Sequence, residues 1–78
     1  MKDFLKKIVL SIVSEGVVFD IKEENSDDLK IYTILAPNEE VGKLIGKSGK
    51  VINSIRTLCR LKALKTQERV LVKIGQES

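Results

Sequence analysis

The residues with the clearest chemical use lie between Val41 and Ile52. Gly46 and Gly49 enclose Lys47 and Ser48, and Lys43 and Lys50 flank the pair. A glycine leaves no side chain where another backbone must come close. Lys47 and Lys50 bring positive charge, and Ser48 brings a hydroxyl donor. A helix that starts near Lys50 turns free N–H groups and the positive end of its dipole toward the same gap. These properties suit a sugar-phosphate backbone held at close range. Gly46-Lys47-Ser48 also ends like a nucleotide-binding P-loop. That loop needs four residues between its glycines and follows a strand. Gly42 and Gly46 enclose three, and the segment before Gly46 has helical spacing. The pattern therefore argues against an NTPase.

No machinery for catalysis is visible. The chain has no histidine, and no carboxylate pair or nucleophile–base pair is placed by the spacing. No enzyme activity, metal, cofactor or small-molecule substrate is expected. Cys59 is the single cysteine, so no intrachain disulfide can form, and a lone thiol fits a reducing compartment. It lies in an apolar helical pattern and reads as a buried, inert thiol. The apolar run Ile8 to Val13 is too short to cross a bilayer. Lys2, Lys6 and Lys7 are interleaved with Asp3, Phe4 and Leu5, and no small-residue cleavage site follows, so no signal peptide is read. A soluble cytoplasmic protein with no membrane contact is expected.

Charge is segregated. Residues 41–73 carry nine basic residues and one acid, a balance of +8, whereas residues 1–40 carry five basic and nine acidic residues, a balance of −4. A charge run is usually a solvated face. A segregation centred on a glycine turn points instead to a polyanion.

These residues need elements to hold them. Phe4, Leu5, Ile8, Val9, Ile12 and Val13 make one helical stripe over Lys2 to Ser14, with Gly16 as its stop. Val17 to Glu23 alternates as a strand, with Val17, Phe19 and Ile21 on one face. Residues 24–28 read as a polar hairpin loop. Leu29 to Ala36 is a second strand, its Tyr32 and Ile34 facing the open side of the sheet. Pro37 opens a helix whose Glu39 and Glu40 complement its dipole, and Val41, Leu44 and Ile45 share a face up to Gly46. A longer helix spans Lys50 to Thr66. Arg69 to Ile74 is a third strand. The order is α-β-β-α-α-β. The first two strands form an antiparallel hairpin, and the two-helix crossover places the third parallel to the second. The fold class is α+β: one two-layer domain, a three-stranded mixed sheet covered on one face by three helices.

Ile45-Gly46-Lys47-Ser48-Gly49-Lys50-Val51-Ile52, followed by Ile55, resembles the signature of the KH domain, an RNA-binding module. The element order resembles its type II arrangement. Length and motif placement resemble the small stand-alone bacterial KH proteins of the KhpA type. The resemblance covers the whole chain and implies a single KH domain over residues 1–78. It implies a groove for about four unpaired nucleotides. The RNA-binding residues it implies are Gly46, Lys47, Ser48, Gly49, Lys50, Lys43, Val41, Ile45, Ile52 and Arg56. The apolar wall would come from Val41, Leu44, Ile45 and Ile52, with the second strand near Ile34 and Leu35. Periodicity does not separate groove from core among these residues; for Leu44, Ile55 and Leu35 the core is the expectation. Only Phe4, Phe19 and Tyr32 are aromatic, so bases are held by aliphatic contacts rather than by stacking platforms. Weak, salt-sensitive binding of single-stranded RNA by a chaperone or post-transcriptional regulator is the expectation.

A second reading is a protein-interaction module in which RNA binding is secondary. Tyr32 and Ile34 on the open sheet face would support it. So would Leu58, Leu61 and Leu64, which spread apolar surface around the longer helix. The resemblance implies self-association, pairing with a second KH-containing protein of the KhpB type, or both.

Overall fold

The computed structural model describes residues 1–76. Its elements are α1 (Lys2–Ile12), β1 (Asp20–Ser26), β2 (Leu29–Ala36), α2 (Asn38–Ile45), a 3-10 turn at Lys47–Gly49, α3 (Lys50–Thr66) and β3 (Arg69–Gln76). The sheet order is β1-β2-β3, with β1 antiparallel and β3 parallel to β2. The α+β class, the element order and the mixed sheet are those the sequence implies.

The core lies between sheet and helices. Leu5 and Val9 enter it from α1, Leu44 from α2, and Ile52, Ile55 and Cys59 from α3. The α3 positions follow steps of three and four, one stripe of a helix. The sheet supplies Ile21, Tyr32, Ile34, Ala36 and Val72. Burial pushes the Cys59 thiol pKa up and the Tyr32 phenol up as well.

Four expectations are corrected. First, α1 ends at Ile12, because Val13 turns extended (φ −75°, ψ 160°). Gly16 (φ 83°) serves the turn closed by Val17 N–H to the Ser14 carbonyl, at 3.2 Å, and does not stop the helix. Second, β1 starts at Asp20 and continues through Ser26. Pairing Ser26 with Leu29 leaves a two-residue turn at Asp27-Asp28. Asp27 takes φ 53°, and tight hairpin turns require positive φ. The five-residue polar loop is therefore mostly strand: polarity there reflects an exposed edge, which charged side chains protect.

Third, the sheet faces are exchanged. Tyr32 and Ile34 are 2% and 0% exposed and face the helices, while Leu29, Ile31, Thr33 and Leu35 are half-buried on the open side. Both rows of β2 are apolar, so period-two reasoning cannot separate them. The partners decide. Ile34 pairs with Ile21 and Ile74, and Tyr32 pairs with Val72, which completes a buried row. Fourth, Leu35 therefore belongs to the open face and not to the core, unlike Leu44 and Ile55.

Candidate nucleic-acid interface

The turn between α2 and α3 is fixed by backbone conformation. Gly46 N–H closes the last turn of α2 on the Gly42 carbonyl at 2.9 Å, and Gly49 N–H bonds the Gly46 carbonyl at 3.2 Å. Gly46 adopts φ 77°, ψ 174°, a region open essentially to glycine alone. Ser48 (φ 57°) and Gly49 (φ 76°) are left-handed. α3 begins at Lys50 with no side-chain cap, so its first amides have no competing side-chain acceptor.

The two glycines have different tasks. A Cβ on Gly46 would lie 2.3 Å from Cγ2 of Val51 and 2.9 Å from its backbone nitrogen. The space at Gly46 is filled by the chain's own Val51, not left for a ligand. A Cβ on Gly49 would meet nothing nearer than 3.8 Å. At Gly49 it is the left-handed backbone (φ 76°), not a lack of space, that favours glycine.

The side chains around the turn divide in the same way. Lys47, Ser48 and Lys50 are exposed. Lys43 turns toward α1 instead. Its Nζ lies 3.2 Å from the Glu40 carboxylate and donates to Ser14 Oγ. Glu40 is 6% exposed and accepts the Ser14 backbone N–H at 2.6 Å. That hydrogen bond, then the one from Lys43, holds its carboxyl pKa below the ordinary value. The pair ties the start of α2 to the α1–β1 connection, and α2 carries the turn. In the sequence Glu40 stands out only as a complement to the helix dipole. Its i,i+3 spacing with Lys43 was the available sign.

The apolar wall is thinner than expected. Leu44 and Ile34 are 0% exposed and Ile52 is 7% exposed, so all three are core, while Val41 is half-buried and Ile45 is 39% exposed. Arg56 lies exposed on α3 and donates its Nε to the Val72 carbonyl at 3.2 Å, joining α3 to the edge of β3. Four residues on, Arg60 borders a recess of about 300 Å³ with Arg69, Leu64, Val70 and Leu71. In the sequence Arg60 and Arg69 stand out only as part of the charge balance. Their convergence depends on packing between α3 and β3. Lys30 and Glu68 pair at 3.2 Å beside this end of the molecule, and the hydrogen bond from Glu68 raises the Lys30 pKa.

Among the described residues, no group of His, Cys, Asp or Glu could hold a metal ion. None of the described helices is long and apolar enough to cross a membrane.

Residues 2–74 match the family model described as KhpA/KhpB, KH domain. The chain belongs to this KH family. The KH domain is 34% identical over 77 residues to the RNA-binding protein KhpA of Chlamydia caviae, a match that covers 99% of both chains. The KhpA of Chlamydia pneumoniae is 35% identical over the same length and coverage. The KhpA of Caldanaerobacter subterraneus subsp. tengcongensis is 32% identical over 74 residues, 95% of this KH domain and 99% of that protein. No solved structure matches the chain.

Proposed function

We propose that this KH domain binds single-stranded RNA at the Gly46–Gly49 turn and catalyses no reaction on it. The observation that carries this reading is an exposed turn whose lysines and hydroxyl stand over the uncapped start of α3. Relatives matched along their whole length are named RNA-binding proteins, which supports the same reading. Phosphates pass beside Gly49, met by Lys47, Ser48, Lys50 and the first amides of α3. Lys43 is engaged with Glu40 and Ser14 and contributes long-range attraction. Val41 and Ile45 give the bases limited apolar contact. Arg56, Arg60 and Arg69 continue the basic track along α3 and β3. Arg60 lies about 15 Å from Lys50 at 1.5 Å per helical residue. Weak contacts with little base readout suit an RNA chaperone or post-transcriptional regulator that meets many transcripts in the cytoplasm.

The decisive variant combines Lys47→Asp with Ser48→Asp. Aspartate tolerates left-handed backbone, so the fold is retained. Affinity for an unstructured oligonucleotide, measured by fluorescence anisotropy, is expected to drop at least tenfold at low salt. Equal affinity in a folded variant would move the RNA site elsewhere.

A second reading is favoured by a separate observation. Leu58, Leu61 and Leu64 are 46%, 56% and 67% exposed on α3. We read this as a face for pairing with another KH chain, either a second copy or a KhpB-type partner, alongside RNA binding.

A further inference from the structure

One stripe of α3 runs from the turn along β3. Asn53, Arg56, Arg60 and Leu64 follow in steps of three and four, which places them on one side of the helix. Asn53 stands at its head, its side-chain nitrogen 3.8 Å from where a Cβ on Gly49 would lie. Arg56 is fastened to the Val72 carbonyl of β3. Arg60 and Leu64 then border the recess of about 300 Å³. Four nucleotides at stacked spacing cover roughly 10 Å, whereas Arg60 lies about 15 Å along the helix from Lys50. The recess therefore stands past the reach of a stacked tetranucleotide seated at the turn.

The recess has the make-up of a nucleotide site. Its floor is apolar, with Ala63 buried and Val70 half-buried, and Leu64 and Leu71 are exposed on its walls. Such a surface holds a base by its face, which every base shares. Arg60 and Arg69 supply two guanidinium groups, which grip phosphate through paired donors and stack on flat rings. Glu68 is the only acid in the lining, and its carboxylate is taken by Lys30 Nζ at 3.2 Å. Among the described residues neither Arg60 nor Arg69 forms an ion pair. An anion that carries an apolar plane matches both that charge and that floor.

We propose that the recess is a base pocket for a further nucleotide of the strand held at the turn, resting on the RNA reading above. The base lies on Ala63 and Val70 between Leu64 and Leu71, and its phosphate meets Arg60 and Arg69. The footprint of the domain is then longer than four nucleotides. Eight nucleotides at stacked spacing cover roughly 24 Å, enough to fill turn and recess together. Once the turn is occupied the second contact is intramolecular, so it raises affinity for longer strands. It does so without selecting a sequence, because the base is held by its face.

The test is fluorescence anisotropy of the full chain with tetrauridylate and octauridylate, read as the ratio of the two affinities. Part of the octamer's advantage is statistical, because a longer strand offers more registers. Arg60→Gln combined with Arg69→Gln keeps that part and is expected to lower the ratio by about tenfold, the order of one held base. Both side chains are exposed, and an unchanged urea midpoint would verify the fold. Two further octamers carry four abasic units at one end or the other. The one whose abasic end reaches the recess is expected to fall about tenfold short of octauridylate. If the ratio is the same in the native chain and the double variant, the pocket is overturned while the RNA reading stands. If both part-abasic octamers bind as octauridylate does, phosphates alone hold the strand, and the base pocket is overturned. Equimolar uridine monophosphate that cancels the octamer's advantage would assign the recess to a free nucleotide and overturn its place on the strand. Failure of both uridylates to bind at all removes the RNA reading itself.

Discussion

Gly46 and Gly49 read alike in the sequence, yet the backbone gives them unlike work. Gly46 leaves room for Val51 of its own chain, whereas Gly49 has room for a Cβ and is favoured there by its left-handed backbone. Gly49→Ala meets only the cost of a left-handed alanine, about 1 kcal/mol. Gly46→Ala adds a backbone clash to a glycine-only conformation and is expected to cost more than about 3 kcal/mol. Urea denaturation of the two variants measures the difference, and equal costs would refute the division of roles. The type and spacing of these glycines were legible, but their separate roles depend on where the first turn of α3 lies. Glu40 was hidden for a similar reason, because its partner Ser14 is 26 residues away. Its carboxyl pKa is lowered in the folded chain. The stabilisation is thus fully present above the unfolded value and lost as pH falls through the lower folded one. Glu40→Gln is expected to unfold at lower urea than the native chain at pH 7. The gap should close under acid conditions, below the ordinary carboxylate range. A gap that persists unchanged into strong acid would contradict an ionic role for Glu40.

α3 is the element with two jobs. Its inner stripe makes the core, and its outer leucines remain exposed. Ile55→Ala empties a buried site (2% exposed) and is expected to cost about 2–5 kcal/mol. Leu61→Ala on the outer face is expected to change monomer stability by less than about 0.5 kcal/mol. Thermal or urea unfolding at low concentration compares the two. A large loss from Leu61→Ala would return that residue to the core. The bounds of α3 and β2 were legible because long periodic segments are bracketed by Gly, Pro and polar residues. The facing of β2 was not. Leu29, Ile31 and Leu35 are as apolar as Tyr32, Ile34 and Ala36, and only pairing with Ile21, Val72 and Ile74 picks the buried row. The strand content of residues 24–26 was obscured by the opposite bias. Edge strands carry charge that reads as loop.

At the scale of the molecule, charge segregation and element order carry most of the functional reading. The +8 segment becomes the turn, α3 and β3, the elements on which Lys47, Lys50, Arg56, Arg60 and Arg69 stand. Each phosphate contact contributes about 0.7 to the salt slope of single-strand binding. A track of four to five cations therefore implies a slope near −3 on a log–log plot. Lys47→Asp is expected to flatten it by about 0.7. The basic segment and its glycine turn were legible in the chain alone. The convergence of Arg60 and Arg69 on one recess was not, because it is made by the packing of α3 against β3. The most direct test of the account is an amide chemical-shift titration with single-stranded RNA. The largest shifts are expected at residues 46–52, with smaller ones at Arg56, Arg60 and Arg69. Shifts confined to the open face of β2, with the Gly46–Gly49 turn unmoved, would contradict it.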